Sequence, residues 1–379
     1  MRMADPQRAP TVREALLWQP RAGGAVACGL CERRCEIAPG HLGTCGVRRN
    51  IGGRLITLAY GDLAAVESRP IEIKPFFHYW PGSTALTYAT WSCNLACAWC
   101  QNHALSRGHP DPRRAQAFGP ADLVALARSR GDRGLCVSFT EPTLLFEHCC
   151  DTFALARAQG LYCCYVSNGR MTAEALAMLA ARGLDGLKVD VKGPPEVYRR
   201  FCGAADGLTP WDRIRQATQL GLHVEVVNLI IPGVNDGDAA LEWLVERHLE
   251  AAGPETPLHF TRYFPAHRFT APPTPLPILE RACRMARDAG VDFPYLGNVP
   301  GHPWEDTRCP ACGTLLLQRR GPALLRSAVT PRGACPRCDR PLPLRGRAAG
   351  ALPLEKGLRT PYRPGRRRPT VRATQGGSA

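Results

Sequence analysis

From residue 84 to residue 296 the apolar positions switch repeatedly between a period of two and a period near 3.6. Alternating or continuously apolar stretches predict strands at Thr84–Thr90, Leu135–Phe139, Tyr162–Ser167, Gly186–Val191, His223–Ile230, Leu258–Tyr263 and Phe293–Leu296. Between them, helical spacing predicts Ala121–Arg130, Leu144–Gln159, Thr172–Arg182, Trp211–Leu220, Asp238–Glu250 and Pro277–Ala289. Strands that alternate with helices imply an α/β fold with a parallel sheet and helices outside it. Right-handed crossovers then curl the sheet toward a barrel, whose functional groups belong at the C-terminal strand ends. Outside this run the pattern is weak. Residues 1–27 hold one helical patch, near Val12 to Trp18, and Arg54–Tyr60 reads as extended. The expected division is a lead-in at 1–83, a core at 84–300, a small module at 301–340 and a tail at 341–379.

Composition changes this picture in two places. The formal charge is +15, but residues 341–379 hold nine Lys/Arg against the single acid Glu355, so about half the excess lies in the tail. That tail is rich in Pro, Gly and Arg and reads as disordered, a solvated segment before a nucleic-acid contact. The second place is cysteine. Met1–Pro20 shows no apolar signal-peptide core, and no apolar run approaches the roughly 18 residues of a membrane span. Eighteen cysteines in such a chain point to the reducing cytoplasm and to metal chemistry rather than to disulfides.

The cysteines fall into sets. Cys93, Cys97 and Cys100 follow the first core strand in the stretch Trp91 to Asn102, spaced C-x3-C-x2-C. Structural zinc takes four ligands and so does an ordinary 4Fe–4S cluster. Three suffice when one iron stays open to a small molecule; three buried thiols, or zinc with a distant fourth ligand, are the plainer readings. Cys28, Cys31, Cys35 and Cys45, interleaved with Gly29, Gly40, Gly43 and Gly46, form a candidate closed knuckle for zinc or a second iron–sulfur cluster, with unligated thiols as the plain alternative. Cys309, Cys312, Cys335 and Cys338 form two C-x2-C pairs, a zinc-ribbon pattern with rubredoxin-like iron second. Cys136, Cys149, Cys150, Cys163, Cys164, Cys202 and Cys283 sit in apolar surroundings and read as buried thiols that pack as small hydrophobes.

The loop Cys93-x3-Cys97-x-Trp99-Cys100 after a strand resembles the cluster loop of the radical S-adenosylmethionine (radical SAM) enzymes. The resemblance implies a partial TIM-like (β/α)6 barrel, a 4Fe–4S cluster on Cys93, Cys97 and Cys100, and SAM on the fourth iron. It also implies reductive cleavage of SAM to a 5′-deoxyadenosyl radical that abstracts hydrogen from a substrate, with an external one-electron donor. Trp99 would lie near the adenine and Ile230, with Ile231, would form an apolar wall for it. Glu141 stands where the superfamily has Gly-Gly-Glu, with Phe139 and Thr140 in place of the glycines. Ser167 and Asn168 match a segment that reaches the ribose or methionine end. Asp190 and Lys192 are similar to the Asp-x-Lys of glycyl-radical-enzyme activases, where the lysine pairs with the SAM carboxylate. Val166 departs from those activases, which carry an acid there. Singly, each has a plain reading: a helix cap for Glu141, a turn for Asn168, a strand-end ion pair for Asp190 and Lys192.

Over roughly residues 26–340 the chain further resembles the radical SAM component of the AmmeMemoRadiSam system, which is similar to pyruvate formate-lyase activating enzymes. The marks are the Cys28–Cys45 segment, Pro81-Gly82-Ser83, Thr140-Glu141-Pro142-Thr143, Ile231-Pro232-Gly233-Val234-Asn235-Asp236, Gly297-Asn298-Val299-Pro300-Gly301 and the terminal cysteine pairs. That family implies AMMECR-like and Memo-like protein partners. A glycyl-radical-enzyme activase, an iron–sulfur electron carrier, a zinc protein that binds nucleic acid through its tail and a radical enzyme acting on RNA are the competing functions.

Overall fold

The computed structural model describes residues 9–348. At its centre is an eight-stranded mixed sheet. Strand β1 (Ala65–Pro70) runs antiparallel to β2 (Thr84–Ala89), and six strands parallel to β2 follow in chain order: β3 (Gly134–Val137), β4 (Tyr162–Ser167), β5 (Gly186–Val191), β6 (His223–Ile230), β7 (Leu258–Arg262) and β8 (Pro294–Gly297). The connecting helices are α1 (Pro120–Ser129), α2 (Phe146–Ala158), α3 (Ala173–Ala181), α4 (Thr209–Gln219), α5 (Asp238–Ala252) and α6 (Leu276–Asp288). Each expected core element is present within two residues of its predicted bounds, because here periodicity, caps and burial agree. Thr172, for example, caps α3 by accepting from the Ala175 amide at 3.2 Å.

The two faces of the sheet differ in chemistry. One set of alternate residues, including Leu86, Val137, Leu187, Val189, Val226, Ile230 and Phe260, packs under the helices with Phe146, Leu176, Ile214, Leu241 and Leu279 in one apolar core. The other set is largely polar and surrounds a cavity whose wall runs from Arg69 on β1 through Lys188 and Asp190 on β5 to Thr261 on β7. Residues from both ends of the sheet line this one space, so the sheet curls around it. Residues 71–83 tuck beneath: the buried Glu225 carboxylate accepts the Phe77 and His78 amides at 2.9 and 2.8 Å, and also bonds His223 and His259.

Two small units flank the core. In the N-terminal one the helix expected near Val12 to Trp18 is absent. Arg13–Glu14 instead pairs with Arg54–Thr57, and Trp18–Pro20 with Val26–Cys28. A patch that short cannot offset the cost of nucleating a helix, and strand pairing, with the Ala15 amide donating to Leu55, wins. The C-terminal unit is an antiparallel sheet of Thr307–Arg308, Leu315–Arg320 and Ala323–Ser327, packed on Phe77, Phe293 and Tyr295. Disorder was expected from residue 341, yet Leu342 is buried, and residues 344–345 return to the core: the Arg345 amide donates to His78 and its carbonyl accepts from Trp80, at 2.8 and 2.7 Å. The remainder of that tail, 349–379, lies outside the described residues. Among the described residues no helix is long and apolar enough to cross a membrane.

Candidate active site

The stretch from Trp91 to Asn102 leaves the C-terminal end of β2 and crosses the mouth of the cavity. Ser92 turns with φ of 74° and donates its hydroxyl to the Cys45 carbonyl at 2.6 Å. The Ala96 and Ala98 amides donate to the Cys202 and Phe201 carbonyls, which fastens the stretch to the π-helical turn Tyr198–Cys202. Held this way, Cys93, Cys97 and Cys100 line the same cavity of about 420 Å³, within the size range of small-molecule sites. Donors point at their sulfurs. The Leu95 amide lies 3.4 Å and the Asn168 side-chain amide 3.8 Å from Cys93 Sγ, and the Ser106 hydroxyl is 3.3 Å from Cys100 Sγ. Burial pushes the Cys93 thiol up, helped by Glu141 and Cys97, whereas a hydrogen bond with Cys202 and the Lys192 ammonium bring Cys97 down to about 7 against burial. Trp99 is buried between Phe201 and Phe269, 5.7 and 5.8 Å away between ring centroids, and also lines the cavity.

The strand ends meet this loop. Glu141 follows β3, and its Oε1 accepts from the Thr143 amide at 3.2 Å and the Ser167 hydroxyl at 2.8 Å. Its Oε2 accepts the Asn168 amide at 2.9 Å and retains room for another donor. Asn168 in turn donates to Asn94 Oδ1 at 2.8 Å, so one carboxylate aligns the ends of β3 and β4 with the cysteine loop. Phe139, where the family pattern has glycine, holds φ of 68°, the left-handed region that glycine favours; such backbone strain is of order 1–3 kcal/mol. On β5, Asp190 receives Lys188 at 3.3 Å and Lys192 at 3.0 Å. Burial would raise the Asp190 carboxyl, but the two ammonium groups overcome it and hold it at about 2. Asp190 and Cys97 likewise keep the buried Lys192 above its ordinary range.

The cavity thus gathers Cys93, Cys97, Trp99, Cys100, Glu141, Ser167, Asn168, Asp190 and Lys192. Ile230 is not among them. It points into the helix-side core, while its neighbours Val227 and Leu229 line the cavity and Ile231 packs near Trp99. Of the expected wall pair, Ile231 therefore keeps company with Trp99, whereas Ile230, on the alternate face of the strand, does not. Sequence reasoning passed over Lys74, Lys188, Asn94 and Arg33. Lys188 was detectable, since it lies two residues before Asp190 and so on the same strand face. Arg33 was not: it reaches 61 positions along the chain to donate to the Asn94 carbonyl at 2.7 Å.

The other cysteines occupy three settings. Cys28, Cys31, Cys35 and Cys45 line a small separate pocket, with the buried Arg48 donating to Cys28 Sγ at 3.8 Å. Burial, with Cys45 and Cys28 nearby, pushes the Cys31 thiol up to about 12. The sulfurs of Cys309, Cys312, Cys335 and Cys338 all lie within 4.8 Å of one another, a set able to hold one metal ion. The Thr314 hydroxyl, 3.2 Å away, helps lower Cys312 to about 6. The seven further cysteines are buried.

Comparison with known proteins accords with this geometry. The radical SAM superfamily profile matches residues 89–244, the span from the cysteine loop through β6 and into α5. The "Uncharacterized protein MJ0808" of Methanocaldococcus jannaschii is 36% identical over 310 residues, covering 81% of this chain and 92% of that one. Among solved structures, a domain of the pyruvate-formate lyase-activating enzyme from Bacteroides vulgatus covers 44% of this chain and 99% of its own at 17% identity and a TM-score of 0.38. Streptococcus suis SuiB bound to S-adenosylmethionine covers 53% and 46% at 13% identity and a TM-score of 0.43. With the profile lying over the cysteine loop and the strand ends that face it, the chain belongs to the radical SAM superfamily and is an enzyme.

Proposed function

We propose that Cys93, Cys97 and Cys100 hold a 4Fe–4S cluster in this cavity and that the remaining wall binds SAM beside it. The observation that carries this is the meeting of three cysteines with the Asp190–Lys192 pair, Glu141 and Asn168 around one cavity. The donor set fits the group: thiolate ligands accept hydrogen bonds, and Leu95, Asn168 and Ser106 supply donors at two of the three sulfurs. When bound, the cluster and SAM supply one-electron cleavage of SAM and hydrogen abstraction from a second molecule. The chain's own residues do the rest. Lys192 offers its ammonium to a carboxylate, Glu141 Oε2 accepts from an amine, and Trp99, Leu95 and Leu229 give an apolar wall that excludes water.

The finer assignments belong to the same proposal. The curled sheet is read as a partial (β/α)6 barrel of radical SAM type, the C-terminal four cysteines as a structural zinc ribbon, and Cys28, Cys31, Cys35 and Cys45 as a zinc or second iron–sulfur site. The chain is read as a cytoplasmic component of the AmmeMemoRadiSam system with AMMECR-like and Memo-like partners and an external electron donor. The Asp190–Lys192 pair favours an activase-like enzyme acting on a partner protein, although Val166 places an apolar group where activases carry an acid. The superfamily match favours an enzyme over an electron carrier or a non-enzymatic zinc protein.

The test is anaerobic reconstitution with iron and sulfide, addition of SAM and dithionite, and quantification of 5′-deoxyadenosine. The expected result is product from the native chain and none from Cys97→Ala. Turnover in that variant overturns the ligand assignment.

A further inference from the structure

The charged groups of the cavity do not balance. Four cations line it, Arg69, Lys74, Lys188 and Lys192, against two acids, Glu141 and Asp190. Arg69 is paired with Glu67 at 2.8 Å, and Lys188 and Lys192 share Asp190. Lys74 makes no direct ion pair with a carboxylate among the described residues; Glu67, already paired with Arg69, acts on it only from a distance. It is 6% exposed, and its ammonium lies 3.8 Å from the centroid of the Phe139 ring. Burial, the largest influence on it, brings the group down to about 8; Cys136 and Glu67 oppose the shift, and Arg69 and Lys188 add to it. At neutral pH it therefore still carries most of its charge.

Burying an unpaired ammonium is costly, and a structural role offers little return here. The cation–π contact with the Phe139 ring offsets part of that cost but supplies no counter-charge. A second group on the same wall is also unused. The Thr261 hydroxyl is buried and finds no partner among the described residues. If Lys192 is committed to the SAM carboxylate, as proposed above, Asp190 remains with Lys188 and the surplus positive charge falls on Lys74, which SAM's single carboxylate does not need.

We propose that Lys74, backed by Lys188, forms an oxyanion seat in the cavity and receives a carboxylate or phosphate carried by the substrate. The substrate is thereby assigned to the anionic class. The seat's role in substrate binding rests on the radical SAM reading of the cavity, but the seat itself is measurable without it.

The test uses the reconstituted full chain with SAM bound, and follows its thermal midpoint on addition of inorganic phosphate, acetate, or chloride at matched ionic strength. A bound ligand raises the midpoint of the form it binds. Expected is a rise with phosphate or with acetate beyond the chloride control, lost in Lys74→Met and retained in Lys74→Arg. Response to phosphate alone indicates a phosphate ester; response to acetate alone indicates a carboxylate. Equal shifts in wild type and Lys74→Met, or none in wild type, overturn the seat. Without added anion, Lys74→Met is expected to melt at or above the wild-type temperature, because an uncompensated buried charge is gone. A fall of several degrees shows a structural lysine and overturns it too. Absence of 5′-deoxyadenosine from the native chain, with the anion shift present, removes the radical SAM reading and leaves the seat standing.

Discussion

Asp190 stands between two ammonium groups, and its position decides the charge of the cavity. Replacing it by asparagine leaves Lys188 and Lys192 facing one another without an acid. Breaking a fully buried pair costs about 3–5 kcal/mol. Asp190's side chain keeps 29% of its exposure toward the cavity, so water screens part of the loss, and Asp190→Asn is expected to cost about 2 kcal/mol at pH 7. The pH dependence has a definite sign. The folded carboxyl is held at about 2, below the roughly 3.9 of an unfolded chain. Its contribution is therefore complete above about pH 4 and disappears as pH falls toward 2. Urea denaturation of wild type and variant at pH 7 and pH 3 checks this: the gap must narrow at the lower pH, and a gap independent of pH assigns the cost to something other than the ion pairs. At this scale the sequence was informative wherever a side chain's role follows from its own strand. Asp190 and Lys192 share a face by alternation. Ile230 failed because its face depends on register, and Lys74 failed because its segment has no period to read.

Among the elements, the core strands and helices were legible because each carries its own amphipathic pattern; in the flanking units the terminal cysteine pairs and the extended stretch from Arg54 were legible, but the short strands near residues 13–20 were not, because tertiary pairing decides them. Residues 9–64 illustrate the second case. Their short strands are fixed to the core by the buried pair of Arg48 with Glu147, whose carboxylate also accepts the Leu16 amide at 2.8 Å. Glu147→Gln leaves a buried guanidinium without its counter-charge, and a loss of about 3 kcal/mol is expected. Limited proteolysis should then cut within residues 9–60 before the core, while simultaneous cleavage throughout would show that this unit and the core unfold together. The C-terminal unit depends on a different device. Its four sulfurs converge within 4.8 Å, and its sheet is too small to bury much apolar surface. Cys335→Ser should reduce zinc, measured by elemental analysis, by about one ion per chain while iron remains. Loss of iron with zinc retained would contradict the ribbon assignment.

For the whole molecule, the significant connections are those that converge behind the cysteine loop, and they come from parts far apart in the chain. Arg33 lies in the N-terminal cysteine segment. Its guanidinium donates to the Asn94 carbonyl at 2.7 Å and the Gly203 carbonyl at 2.5 Å, joining that segment to the cysteine loop and to the turn that follows β5. The Ser92 hydroxyl bonds Cys45, and the Thr172 hydroxyl bonds Gly29 at 2.8 Å, so the same segment also holds the connection after β4. No single stretch of sequence displays this arrangement, which exists only once β2 to β5 are assembled in one sheet. It makes the Cys28–Cys45 unit a support for the cavity rather than an appendage. Partners that orient a metal's ligands typically change affinity or activity by about 10–100-fold when removed. Arg33→Ala is therefore expected to lower the rate of 5′-deoxyadenosine formation by about 10-fold at equal iron content, with the melting temperature little changed because the guanidinium is partly exposed. The comparison must be made per cluster. A proportional fall in iron and rate would mean that Arg33 serves only cluster retention, and an unchanged rate would mean that the cysteine loop holds its geometry without the N-terminal unit.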